Sequence, residues 1–348
     1  MTKKLTIALD AMGGDGGPEM VVRGAEKAQQ NHPNLHLLFF GDEKRLTPLV
    51  QAARHLTSYE IIHCDDEVTA DAKPSQALRG GKNTSMWLAI EKVAQGEADA
   101  IVSAGNTGAL MAMSKLQLRM LEGISRPAIA AFIPTMRGAT CMLDLGANIE
   151  VDAENLVQFA VMGEAFCRDV RGVKSPSIGL LNVGEEDQKG FDYLREAAEE
   201  LSLPDLKLNY EGFVEGSDIM MGSTDVIVTD GFSGNVAIKA AEGASSLISH
   251  TIRQSFTANL FNKLAYLFAR PALNMVRRRL DPRLHNGAVF LGLNGISVKS
   301  HGGTDAVGFA NAIRVAVDLV DQGFLPEVSE SIRRAAEIRA NRAQEGVA

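Results

Sequence analysis

Cysteine is scarce in this chain: Cys64, Cys141 and Cys167 are the only three in 348 residues, and none share a C-x-x-C spacing. An odd, scattered set excludes a disulfide framework and a cysteine zinc site. It predicts a reducing compartment, with the thiols serving as small buried hydrophobes. Aromatics are also few, with Trp87, four tyrosines and fourteen phenylalanines, so no platform for stacking bases is evident. Positive charge is not in excess either. The formal net charge of −8 speaks against general nucleic-acid binding. No apolar run reaches the ~18 residues needed to cross a bilayer. Asp10 interrupts the first apolar stretch too early for a signal peptide. The expectation is a cytoplasmic globular protein, with 45% hydrophobic and 22% charged residues.

What the chain has in quantity is glycine, placed in a pattern. Seven stretches run apolar and then break into a glycine-plus-polar cluster: LDAMGGD, FFGDE, VSAGNTG, LDLGAN, LNVGEE, VTDGFSGN and VKSHGGTD. Most precede a segment of helical spacing, the mark of repeated strand–loop–helix units whose ligands collect at carboxyl ends of strands. By itself this alternation suggests a parallel sheet. Strands are predicted at 5–9, 35–40, 60–63, 99–102, 128–133, 140–145, 177–182, 207–210, 226–229, 288–291 and 296–299. Helices are predicted near 18, over 153–171, from 233 to about 279 and over 304–322. Residues 64–81 read as irregular. The expected organisation is a single domain over 1–330, followed by a charged tail over 331–348 that frays.

Several clusters carry chemistry. Asp10, Gly13, Gly14 and Asp15 form a glycine-rich turn before a helix, either a tight turn or a holder of an oxyanion through backbone amides. Ser103, Gly105, Asn106 and Thr107 form a second such loop, open to helix capping or to phosphate at the positive end of a helix dipole. Gly80, Gly81 and Lys82 fail the P-loop pattern, because Gln76 stands where the first glycine belongs and Asn83 follows the lysine. Asn182 opens the LNVGEE turn, and Lys189 beyond it can polarise a phosphate or a carbonyl. Asp230, Ser233 and Gly234 form a strand-to-helix turn in which Asp230 caps a helix or binds substrate, with Asn235 able to orient a carbonyl. Asn148 closes the LDLGAN turn. His301 is the one glycine-flanked histidine and a candidate acid–base or hydrogen-bonding group.

Residues 251–285 differ from the rest. Arg253, Lys263, Arg270, Arg277, Arg278, Arg279 and Arg283 face only Asp281, a local charge of +6 against −14 elsewhere. Phe256, Leu260, Phe261, Leu264, Leu267, Phe268, Leu273 and Val276 interleave at helical spacing. A basic amphipathic helical segment over about 245–285 follows. Its face meets another subunit, an anionic lipid surface or an acidic protein.

Taken in order, DAMGGD, SAGNTGA, LDLGAN, LLNVGEE, VTDGFSGN and HGGTD resemble the PlsX family, the phosphate acyltransferases of bacterial phospholipid synthesis, from about residue 5 to 322. The last loop departs from the HGSSD frequent in that family. The resemblance implies a three-layer α/β/α sandwich on a mixed sheet, like the isocitrate/isopropylmalate dehydrogenases and phosphotransacetylase. It also implies two intertwined subdomains and a homodimer. It implies formation of an acyl phosphate from a long-chain acyl-[acyl-carrier-protein] and inorganic phosphate, with no cofactor and no metal. In such an enzyme Lys189, Asn235 and His301 are the expected catalytic groups. The Gly13–Gly14 and Ser103–Thr107 loops would hold phosphate. The basic segment, Lys263, Arg270 and Arg277–Arg279 included, would meet carrier protein, the membrane or a membrane glycerol-3-phosphate acyltransferase. An alternative is a metal- and NAD(P)-dependent β-decarboxylating dehydrogenase, because GGDGGPE is similar to the opening of those enzymes. Their second metal-binding aspartate is replaced here by Gly234. A non-catalytic membrane scaffold is a third reading and leaves the glycine loops unexplained.

Overall fold

The computed structural model describes residues 4–279 and 281–345. Its strands are β1 (Leu5–Asp10), β2 (Leu35–Gly41), β3 (Tyr59–His63), β4 (Ala100–Ser103), β5 (Ala128–Thr135), β6 (Gly138–Leu143), β7 (Ser177–Leu181), β8 (Asn209–Val214), β9 (Val226–Val228), β10 (Ala288–Leu291) and β11 (Ile296–Lys299). The helices of the first half are α1 (Gly17–Asn31), α2 (Glu43–Ala52), α3 (Pro74–Gly80), α4 (Ser85–Ala94), α5 (Thr107–Leu118) and α6 (Ala153–Arg171). Those of the second half are α7 (Asp192–Leu201), α8 (Asp218–Met221), α9 (Gly231–Thr257), α10 (Leu260–Arg279), α11 (Ala306–Gln322) and α12 (Phe324–Glu345).

All eleven strands join one sheet in the order β3-β2-β1-β4-β11-β10-β5-β6-β9-β7-β8. The sheet is mixed, not wholly parallel. One block (β3, β2, β1, β4, β11) and another (β6, β9, β7, β8) are each parallel inside, and β10 and β5 pair antiparallel between them. Three antiparallel pairings in succession make the two blocks run in opposite directions. Strands such as LTIALD are apolar nearly throughout because helices cover both faces. Ile7 and Leu9 share one apolar core with residues of α1, α6, α11 and α12, while Ala8, Phe40 and Ile101 share the other with residues of α3, α4 and α5. Helices thus form a layer on each side of the sheet.

Local sequence sets the helix ends. Asp152 and Asn155 make a reciprocal capping box at the start of α6, and left-handed Gly172 (φ +69°) closes it. Phe159 and Phe166 of α6 are fully buried; truncating either to alanine costs about 3–5 kcal/mol.

Two expectations change. The segment 64–81 contains α3, which packs Ala77 into the core. The tail over 331–348 continues as α12 to Glu345. Phe324, Val328 and Ile332 are buried, and Glu327 and Arg339 pair with Arg168 and Glu154. Its charge pattern hid an apolar stripe with period near four. No helix among the described residues is long and apolar enough to cross a membrane.

Candidate active site

One row of the sheet defines where the loops emerge. Leu9, Val102, Val298, Val289, Ala130, Leu143, Val228 and Leu180 stand in register across eight strands. The first block ends one residue past that row at Asp10, Ser103 and Lys299, which are themselves in register. The second block ends past it on the other side, at Asp144 and Thr229. The glycine loops therefore form two groups, leaving the row in opposite directions. Four strand spacings, about 19 Å, lie between β11 and β9. Among the described residues no hydrogen bond joins the two groups.

The first group is built round a buried carboxylate. Asp10, 2% exposed, accepts from the hydroxyls of Ser85 (2.6 Å) and Ser103 (2.7 Å). Ser103 Oγ in turn accepts the Gly105 amide at 3.0 Å. A Cβ on Gly13 would fall 2.6 Å from both Asp10 Oδ2 and the Gly105 nitrogen, so only glycine lets these loops touch. Gly14 takes φ +87°, and the Asp15 amide donates to Gly302 O at 2.9 Å, joining the first loop to the last. Lys299, 9% exposed, reaches Ala104 O at 3.3 Å and also contacts Ser300 O. Burial pushes its ammonium down to about 8, while Asp10 and Asp15 pull the other way. Helix α1 starts here with no side-chain cap; the Gly17 amide donates to Gly14 O, Pro18 has no N–H and the Met20 amide donates to Gly16 O. His301 Nδ1 accepts the Gly303 amide at 3.2 Å, so the neutral ring carries its proton on Nε2. The loop is anchored from behind: the His301 amide donates to Asn286 Oδ1, and Asn286 Nδ2 donates to Ser300 Oγ.

The expected phosphate ligand Asn106 is already employed. It caps α5 by accepting the Ala109 amide at 2.9 Å, and its amide group donates to Ala70 O and Ala72 O. Thr107 begins the helix itself.

The second group is organised by Asp144, fully buried and absent from the sequence-based candidates. It accepts from the amides of Ile129, Gly146, Ala147 and Asn148 and from Asn148 Nδ2. Burial pushes its carboxyl up, and these donors pull it back. Asn148 spends its remaining donor on Pro127 O, and Asp230 caps α9 by accepting the Ser233 amide at 2.8 Å. A Cβ on Gly234 would fall 2.0 Å from Asp144 O, which explains the glycine. Asn182 donates to Lys189 O and accepts the Val183 amide, bracing the turn that carries Lys189. Lys189 and Asn235 are both exposed, and neither end group makes a hydrogen bond or ion pair with a described residue.

Most expected ligands thus turn out to shape the loops, whereas Lys189, Asn235 and His301 keep free polar ends. Lys299 carries a legible signal, a cation in the otherwise buried strand ISVK. Asp144 likewise ends an apolar strand. Ser85 carries none. No group of three or more His, Cys, Asp or Glu that could hold a metal occurs among the described residues.

Helices α9 and α10 make a separate surface. Beyond its first turns α9 is exposed and packs on α10, with Phe256 and Tyr266 edge to face at 5.6 Å. Phe261 and Phe268 are 79% and 81% exposed. Lys263 and Arg270 lie seven residues apart on one face, both exposed. The side chains of Arg277, Arg278 and Arg279 lie outside the described residues.

A family model described as "Fatty acid synthesis protein" matches residues 5–326. The phosphate acyltransferase of Rhodospirillum centenum is 56% identical over 335 residues, covering 96% of this chain and 94% of its own. That of Paramagnetospirillum magneticum is 54% identical, covering 96% and 95%. Among solved structures, EutD phosphotransacetylase from Staphylococcus aureus superposes with a TM-score of 0.62 at 17% identity, covering 91% of this chain and 94% of that one. A phosphotransacetylase from Streptococcus pyogenes gives 0.62 at 18% identity, over 92% and 95%. At that identity the likeness is one of fold. Neither these relatives nor the Asp230–Gly234 turn favours the dehydrogenase alternative.

Proposed function

The chain belongs to the fatty acid synthesis protein family, whose matched members are acyltransferases, and on that premise we propose that it makes acyl phosphate from a long-chain acyl-carrier-protein thioester and inorganic phosphate. The observation that carries this reading is the first loop group: two glycine turns opening α1 and α5 around Asp10, with the Lys299 ammonium buried beside them. Backbone amides at a helix start and a nearby cation are what a phosphate dianion needs.

In the reaction a phosphate oxygen attacks the thioester carbonyl carbon. The new C–O bond forms as the C–S bond breaks, and the thiolate leaves on the carrier's arm. A thioester is already activated, so the protein's task is positioning and oxyanion stabilisation, with no acyl-enzyme required. The Gly13–Gly14 and Ser103–Gly105 loops hold phosphate. His301 donates through Nε2. Lys189 and Asn235, with free ends on the second loop group four strands away, hold a remote part of the acyl-carrier substrate lying across the middle of the sheet, while its carbonyl sits at the phosphate end. The three-layer sandwich of the isocitrate/isopropylmalate dehydrogenase kind suits such a cleft.

The α9–α10 hairpin is the docking element in this reading. Its apolar face serves a homodimer, and its basic residues, exposed Lys263 and Arg270 among them, meet acidic carrier protein or an anionic membrane surface. The enzyme would then work in the cytoplasm at the membrane periphery, next to a glycerol-3-phosphate acyltransferase.

The decisive assay incubates the protein with palmitoyl-carrier protein and labelled phosphate, without metal or nucleotide. Labelled acyl phosphate and free carrier protein are expected; the absence of both ends the proposal. Arg277→Ala, Arg278→Ala and Arg279→Ala together should reduce flotation with anionic liposomes at low salt. Unchanged flotation and unchanged carrier binding would remove the basic face from the reading.

A further inference from the structure

A cavity of about 320 Å³ lies away from both loop groups, between the end of α6, the short turn Pro282–His285 and the first turns of α11. Two arginines and a histidine line it. The Arg171 guanidinium lies 5.8 Å from the centre of the Phe132 ring and has no carboxylate partner among the described residues. Arg314 is aimed by Asn311 Oδ1 at 3.1 Å and paired with Asp318. Burial, then Arg171 and Arg314, hold the His285 imidazole below its ordinary value, with Asp281 opposing them. The nearby acids Asp281 and Asp305 are bridged by Arg283, so their charge is spent outside the cavity.

Arg171 faces this space without a carboxylate partner among the described residues, while Arg314 pairs with Asp318, so an anion here would meet one unpaired guanidinium and the remaining N–H donors of the other. Guanidinium groups favour planar, bidentate oxyanions. At ~30 Å³ per water the cavity holds about ten waters, more room than a bare phosphate fills. Phe132, Leu284 and Val315 provide an apolar wall for the remainder.

We propose that this cavity is a binding site for a small phosphate monoester, with the phosphoryl group between Arg171 and Arg314 and its organic group against Phe132. The site is physically tied to the candidate active site. Asn311 Nδ2 donates to Asn286 O at 2.7 Å, and the Asn286 side chain anchors Ser300 and His301. Occupancy would therefore bear on the His301 loop. The site itself stands apart from the acyltransferase reading.

Phenyl phosphate is the probe. Titration calorimetry with the full chain at low salt should show binding, and the His285 ring resonance should shift, its titration midpoint rising with ligand. Arg171→Ala, at an exposed position, should weaken binding roughly tenfold or more, and Arg314→Gln should do the same. Ser103→Ala, in the first loop group, should leave this binding unchanged. Binding unaffected by Arg171→Ala and Arg171→Glu, or a His285 resonance unmoved at roughly 10 mM probe, overturns the proposal. Equal affinity for inorganic phosphate with the same arginine dependence overturns the monoester assignment.

Discussion

The two loop groups solve one problem in different ways. Each needs a buried carboxylate to hold glycine turns together at the end of a parallel block. At the second end, Asp144 is held by four backbone amides and one side-chain amide, leaving no cation beside it. At the first, Asp10 is held by two serine hydroxyls and balanced by the Lys299 ammonium. Backbone donors make a rigid, self-sufficient knot. Hydroxyls and an ammonium keep donors that an incoming anion can compete for. On the proposed reading the first end suits phosphate and the second serves as scaffold, with Lys189 and Asn235 among the exposed side chains it carries.

The contrast is most severely tested at Asp144. Asp144→Ala orphans several buried amides at ~1–3 kcal/mol each, so a loss of about 4 kcal/mol or more is expected in urea denaturation. A loss below about 1 kcal/mol would deny it the organising role. Lys189→Ala, at an exposed position, should keep the unfolding midpoint while lowering kcat/KM for the acyl-carrier substrate roughly tenfold. Full activity would confine substrate binding to the first end. A third test uses pH. The folded Lys299 titrates near 8, below its ordinary 10.5. Between those values the unfolded chain binds more protons, so stability rises with pH from about 8 to about 10.5. That rise should disappear in Lys299→Met; its persistence would show the ammonium to be solvated. The smallest effect belongs to the hairpin. Phe268→Ser should change stability by no more than about 0.5 kcal/mol, because the ring is exposed. A larger loss in dilute monomer would mean that the ring packs within its own chain.

Much of this was legible in the residues. Apolar runs ending in glycine located the strands because a strand buried on both faces must be apolar throughout. β8 was displaced, from 207–210 to Asn209–Val214, because NYEGFV alternates weakly. α12 was missed because its charges outnumber the few apolar residues that dock on α6. The candidate site was half legible. Short polar residues beside glycine do collect in the loops, yet Asn106, Asn148, Asn182 and Asp230 cap helices or brace backbone, Asn106 and Asn148 reaching Ala72 O and Pro127 O in other segments. Composition cannot separate a side chain that binds a ligand from one that binds its own backbone, because both uses select the same short polar types.

The sequence alone determined the family, the alternation of strand, loop and helix, and the amphipathic hairpin, because these depend on neighbours along the chain. Tertiary structure alone decided the reversal of strand direction at β10 and β5, and with it the division of the glycine loops between two ends of one row. It also decided the burial of Lys299 beside Asp10. Those outcomes depend on pairings between segments far apart in sequence, and no local preference encodes which strand will lie next to which.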